Sequence, residues 1–501
     1  MSDETPNAPR GFPPAGHWLA LLVLAVVIVA ASVIEIHPTL GTTTSVVGTA
    51  GGLGSGSNAT TGGKSNGTGA TTGTGGTSGS RGGSANPSSF QCAAGKNGGN
   101  TDTGVTGSAI NLASTVVDSG VGASFLGDAQ YVMQGVVNQV NAAGGICGRR
   151  INLTLNDDGW DASRGCGYIQ NYINQGVFAL PVEPSSEGLT QCIENNSIHN
   201  AGIPVIGTDG MLKEQYQASG PADWVWPIAT STVSTMHIMV DQAYARGARS
   251  FCLAYDNQYK FGLEGHTAFD NEVQRKTGSD PTLDVGLDPN QASQPGGYSS
   301  QINTFNQQCG SVDFVGLLLQ PGPAAVWIKG SGGTPGAVSG KDGEAGAQPM
   351  FTNDLGANCG DPCNGLIVYS GFYPPLDPYT SDPNLQAALT QYENTFNSVK
   401  SNPDYNNQFA ESAYDGMLLA IQAIKAVSPD LTRARIKQYL DSTGFNTDGH
   451  GLTLPLMWRS GNHFANTSML AYAFVCGSGS CSGFRQVSGF VTDSNPTADS
   501  Q

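Results

Sequence analysis

The run Gln139–Gly165, QVNAAGGICGRRINLTLNDDGWDASRG, decides the fold. Upstream of it Val132, Met133, Val136, Val137 and Val140 recur at helical spacing, and the pattern stops at Ala142-Ala143-Gly144-Gly145. Glycine is the expected stop because it enters the left-handed conformation at little cost. Ile151, Leu153 and Leu155 then alternate with Asn152, Thr154 and Asn156, the period of a strand with one buried face. Asp157, Asp158 and Asp161 follow at once, as turn and helix N-terminal residues do.

Working outward, the same alternation continues. Strands are expected at 109–115, 150–155, 177–182, 202–208, 250–255, 282–286 and 312–319. Helices are expected at 126–143, 166–175, 187–200, 233–245, 263–275, 298–308, 385–400 and 411–427. Regular alternation at this spacing implies parallel sheets covered by helices on both faces. At 501 residues one core is too few, so two lobes are expected. The stretch 330–348, GSGGTPGAVSGKDGEAGAQ, reads as a loop.

The N-terminal part differs in kind. Residues 1–17 form a short tail, expected to be cytoplasmic, and 18–34 (WLALLVLAVVIVAASVI) are apolar throughout. About 17 residues at ~1.5 Å each nearly span a ~30 Å hydrocarbon layer. The segment reads as a transmembrane signal anchor or, alternatively, a cleaved signal peptide. Residues 35–104 form a Gly/Ser/Thr-rich linker with nothing to bury. Either way the remainder is extracytoplasmic: attached to the cell membrane by a single pass, or secreted if 18–34 is removed.

Net charge is −17, which repels nucleic acid and anionic lipid surfaces, so no nucleic-acid partner is expected. Ten cysteines, an even number, suit an oxidising exterior, though about 945 pairings are formally open. No CxxC occurs and no histidine lies near these cysteines, so no metal or other cofactor is expected. No GxSxG, HExxH or Walker A motif is present, and no catalytic residue is assigned.

Helix, Gly-Gly stop, basic pair, strand and acidic turn in that order resemble the first crossover of the type I periplasmic solute-binding proteins. The likeness is to the branched-chain amino acid (Leu/Ile/Val)-binding family of ABC transporter substrate-binding proteins. It spans 105–490 and implies two doubly wound α/β lobes joined by a three-stranded hinge. Lobe 1 would take 106–229 and 353–450, and lobe 2 would take 230–352 and 451–490, leaving 491–501 as a tail. In such a fold Cys92 would lie near Cys147, and Cys166 near Cys192. Cys359 and Cys363, and Cys476 and Cys481, would close small loops, leaving Cys252 and Cys309.

In open α/β sheets ligands bind at the carboxyl ends of strands, against helix N-termini. The resemblance places Ser185, Ser186, Thr208 and Asp209 there in lobe 1, with helix capping and turn formation as the competing readings. In lobe 2 it places Tyr259, Phe261 and Gln320, with Asp354 at a further cleft-facing strand end, and Phe261 takes the position of an aromatic that presses on the ligand. Ordinary lobe packing competes for Phe261. The family's amino-acid binders carry an acid before the helix that here starts near Tyr298. This chain reads Gln291 to Tyr298 (QASQPGGY) without one. An amide or small carboxylate therefore stands beside an amino acid as the expected solute. The resemblance implies a non-enzymatic binder that passes a small polar solute to ABC permease subunits by hinge closure. A ligand-sensing ectodomain acting through a partner is the alternative, and an exported hydrolase the third.

Overall fold

The computed structural model describes residues 90–93, 96–209, 211–332, 343–375, 382–446, 449 and 451–499. The tail 1–17, the apolar segment 18–34 and most of the linker 35–104 lie outside them. No helix among the described residues is long and apolar enough to cross a membrane.

The opening stretch folds in the order its residues imply. β1 (Ala109–Val116) leads through α1 (Ala123–Leu126) to α2 (Ala129–Ala142), β2 (Arg150–Asp157) and α3 (Ala162–Asn174). Val132, Met133, Val136, Val137 and Val140 are all buried. Gly144 and Gly145 take φ of 102° and 74°, the left-handed stop their position calls for. β1 and β2 pair in parallel, from Ala109 opposite Arg150 to Val116 opposite Asp157. β3 (Leu180–Pro181), α4 (Ser186–Glu194), α5 (Ser197–Ala201), β4 (Val205–Thr208) and β5 (Val225–Pro227) complete this part of the chain. A parallel bridge between Leu112 and Ala179 joins the two ladders into one sheet ordered β2-β1-β3-β4-β5.

The second lobe starts with α6 (Thr232–Ala245), β6 (Phe251–Asp256), α7 (Lys260–Thr277), β7 (Leu283–Leu287) and α8 (Ser299–Cys309). It continues with β8 (Phe314–Leu318), α9 (Pro321–Gly330), β9 (Gly343–Gly346), α10 (Asn353–Cys359) and β10 (Ile367–Ser370). The chain returns to the first lobe for α11 (Pro383–Asn397), α12 (Gln408–Val427), α13 (Arg433–Leu440) and the antiparallel pair β11 (Gly444–Phe445) and β12 (Leu456–Met457). It crosses once more for β13 (Ser468–Gly477), β14 (Ser480–Gln486) and β15 (Val491–Thr492). The second sheet runs β14-β13-β10-β9-β8-β6-β7, with β15 beside β13.

Four boundaries differ from expectation. The return to lobe 2 set at 451 belongs nearer Asn466, because β12 pairs with β11 and Leu452, Leu456 and Trp458 pack into the first-lobe core. The lobe boundary set at 353 belongs after Ser370, because β10 pairs with β9 and β13 inside the second sheet. The expected loop 330–348 supplies β9, which lies between β8 and β10. Gly-Glu-Ala-Gly has no apolar alternation to announce a strand, so sequence periodicity passes over it. The stretch 491–501 is not a free tail through its described part, since β15 pairs with β13 and Asp493 and Asp499 grip α6.

The crossings between lobes meet at Asn466. Its side-chain amide donates to Ile228 O at 3.1 Å and to Gly371 O at 3.5 Å, so one buried side chain touches all three. Thr230 Oγ1 donates to Ser468 O, and Gln348 donates to Thr230 O, tightening the same point. The disulfides are Cys92–Cys147, Cys166–Cys192, Cys252–Cys309, Cys359–Cys363 and Cys476–Cys481, the connectivity expected from the fold.

Helix α12 lies so close to β4 that a Cβ on Gly416 would overlap Gly207 O and the Val182 side chain. Gly416→Ala is expected to cost about 2–3 kcal/mol through this overpacking, read as a lower denaturation midpoint. An unchanged midpoint would show that the helix can shift at no cost.

The C-terminal grip is electrostatic. Buried His237 places Nδ1 3.0 Å from Asp493 and Nε2 3.1 Å from Asp499, with Arg275 2.8 Å from Asp499 and Glu272 alongside. Burial works to lower the His237 pKa, but the two carboxylates win and raise it. A raised folded-state value means that this stabilisation is complete below the ordinary histidine value of about 6.5. It is lost as pH rises through the folded value. Thermal denaturation from pH 6 upward is expected to show this decline in the native protein and a flatter profile in His237→Asn.

Candidate functional site

The carboxyl ends of the first sheet gather the lobe 1 candidates. After β2, Asp157 Oδ1 accepts the amides of Asp118, Ser119 and Gly159, and Asp161 caps α3 by accepting from Arg164 N. These two do the turn and cap work read from the sequence. Asp158 is fully buried, and its Oδ1 accepts from Trp160 N. Burial pushes its pKa up to about 6, opposed by the nearby Ser185 hydroxyl and the Trp160 amide.

After β3 the backbone is strained. Val182, β-branched, sits at φ 52°, a conformation that such residues hold only where the surroundings impose it. It aims the next residues across the strand ends. Glu183 is buried, its Oε2 accepting from Thr115 N and Oγ1 while Oε1 has no hydrogen-bond partner. Burial raises its pKa well above the usual carboxylate range. Ser185 stands at the N-cap of α4, and Ser186 opens the helix, its carbonyl accepting from Gln215 Nε2. Thr208 Oγ1, at the end of β4, lies 3.2 Å from Glu183 O and 3.3 Å from Gln215 Oε1. Asp209 is buried beside it.

In the second lobe Asp256 Oδ1 accepts the amides of Gln258 and Tyr259, and its Oδ2 accepts from Gln320 Nε2 at 2.7 Å. Burial pushes Asp256 up to about 6. Gln320 is buried and forms the N-cap of α9.

The two sets meet through aromatic rings. Trp160 stacks on Tyr259 at 4.1 Å and 11°, and on Phe261 at 5.7 Å and 26°, while Phe125 meets its edge at 5.4 Å. Trp160 holds φ 64°, and its buried Nε1 has no hydrogen-bond partner. Polar contacts flank the stack. Lys260 N donates to Glu187 Oε1 at 2.8 Å, and Lys260 Nζ pairs with Glu194 and Glu214. Lys213 N donates to both oxygens of Glu264, at 3.0 and 3.1 Å. Burial raises Glu187 to about 7 and Glu264 to about 8.

Seven of the eight candidates therefore stand at strand ends on one side or the other of this seam. Asp354 stands apart: it lies in the first turn of α10, and its oxygens bond Asn358 within that helix. Sequence reasoning missed Trp160, Asp158 and Glu183. A tryptophan inside a Gly-Asp turn, where short polar residues usually sit, was the available signal. The described histidines 199, 237, 266 and 463 pair with carboxylates, and none is bonded to Ser185. The arrangement offers buried donors and acceptors and an apolar wall, a binding surface by its chemistry.

Residues 109–478 match the periplasmic binding protein family. The chain belongs to that family. Its structural neighbours are type I periplasmic binding proteins, among them substrate-binding proteins of branched-chain amino acid ABC transporters. The Thermomonospora curvata fatty acid ABC transporter substrate-binding protein is similar at TM-score 0.63 and 15% identity, over 79% of this chain and 96% of its own. A branched-chain amino acid ABC transporter protein from Thermus thermophilus with bound valine gives 0.63 and 14%, over 78% and 98%. A solute-binding protein from R. palustris in complex with 4-hydroxybenzoate gives 0.62 and 13%, over 77% and 97%. No curated protein matches. At these identities the neighbours speak to the fold of this binding protein and not to its solute.

Because Trp160 and Tyr259 come from different lobes, their stack exists only while the lobes touch. Trp160→Ala is expected to enlarge the solute-free protein in small-angle scattering. It should also weaken solute binding by about tenfold, the equivalent of ~1.4 kcal/mol. An unchanged radius together with unchanged affinity would remove Trp160 from the seam's working parts.

Proposed function

We propose that this periplasmic binding protein captures a small polar solute, an amino acid, amide or small carboxylate, and delivers it to ABC permease subunits. The single observation carrying this reading is the aromatic and polar seam at the strand ends of two lobes that share one buried hinge residue. Ser185, Ser186, Thr208 and Asp209 would meet the solute from the first lobe, and Tyr259, Phe261 and Gln320 from the second. Asp354 would meet it from the first turn of α10. Closure about Asn466 would then bury the solute, and no bond of the solute would be made or broken. The apolar segment 18–34 would hold the domain on the extracytoplasmic side of the cell membrane.

Isothermal titration of the full chain against amino acids, amides and small carboxylates, with scattering on the same samples, tests the reading. One class is expected to bind at a 1:1 ratio and to compact the protein. Ser185→Ala and Thr208→Ala should each weaken it by roughly five- to tenfold, the loss of about one hydrogen bond. Binding without any dependence on these residues, or no binding and no compaction across the set, would refute it.

A further inference from the structure

Away from the seam, the outer edge of the second sheet carries a cluster that solute capture does not use. His266 and Asp270 stand one turn apart on α7, and Asp284 faces them from β7, the outermost strand. His266 Nε2 lies 3.2 Å from Asp270 Oδ2 and 3.6 Å from Asp284 Oδ2, and all three atoms fall within 4.8 Å of one another. Donors about 2.0–2.2 Å from one shared ion stand roughly 3.0–3.5 Å apart, so the His266–Asp270 pair already has the spacing of neighbouring corners of a coordination shell, and Asp284 stands just outside it.

Three further observations point the same way. The imidazole is held flat against Tyr255, ring centroids 4.1 Å apart and 8° from parallel, which fixes where Nε2 aims. The second carboxylate oxygens, Asp270 Oδ1 and Asp284 Oδ1, are buried and have no hydrogen-bond partner. Among the described residues neither Asp270 nor Asp284 pairs with a lysine or arginine, and His266 is the cationic side chain that meets both. The side chains remain 27%, 33% and 19% exposed, open enough for a hydrated ion to reach them.

We propose that His266, Asp270 and Asp284 form a binding site for a first-row divalent cation of the Zn2+ or Mn2+ class, with water completing the shell. One imidazole with two carboxylates suits these ions better than Ca2+, which takes oxygen ligands alone. The ion would clamp the edge strand β7 to α7, the helix whose first turns bear Phe261 and Glu264. No spacing motif announces the site because one donor comes from a strand and two from a helix.

The full chain, stripped with EDTA, is titrated with ZnCl2, MnCl2 and CaCl2 by calorimetry, and its denaturation temperature followed. Zn2+ or Mn2+ is expected to bind at 1:1 and, at about 100 times its Kd, to raise that temperature by about 3 °C. His266→Gln and Asp284→Asn should each weaken binding at least about tenfold, while their denaturation in EDTA shows whether they fold. Absence of 1:1 binding, a preference for Ca2+, or binding retained in both folded variants would overturn the proposal.

Discussion

The lobes of this protein depend on one buried amide. Asn466 reaches Ile228 O on the first crossing and Gly371 O on the second while itself lying on the third. A side-chain amide has two N–H donors, and here both go to main-chain carbonyls. The three crossings are therefore tied to one another at a shared point. Rigid-body rotation needs such a point, because cores as dense as those on either side do not deform continuously.

What meets across the seam is rich in acid. Asp158, Glu187, Asp256 and Glu264 all have raised pKa values, with burial the first cause of each. Glu187 and Glu264 receive main-chain N–H groups from the opposite lobe, which partly repays their loss of water. The seam is thus a balance: aromatic stacking and cross-lobe hydrogen bonds favour contact, and desolvated carboxylates oppose it. A solute that offers donors to such groups tips that balance more effectively than one that only fills space.

The order of elements was legible because periodicity and glycine stops are local properties. Val132 to Val140 and Ile151 to Leu155 carry them without reference to the rest of the chain. The serine and threonine at the ends of β3 and β4 were legible for a related reason, since strand ends are where parallel sheets present helix N-termini. Trp160 was not, because its role comes from Tyr259 and Phe261, about a hundred residues away in sequence. β9 escaped because Gly343 to Gly346 owes its strand to neighbours on both sides. Asp354 is ambiguous in the sequence because an acid in the first turn of a helix is equally well used by that helix, as here with Asn358. The metal-type cluster likewise exists only once α7 and β7 are side by side.

The grip of Asp493 and Asp499 on α6 makes the segment 493–499 part of the architecture. Asp499 meets His237, Arg275 and Asn271 at once. Loss of this segment would strip a buried imidazole of both its carboxylates, so a protease cut before Asp493 would act on the fold of the second lobe and not merely on its surface.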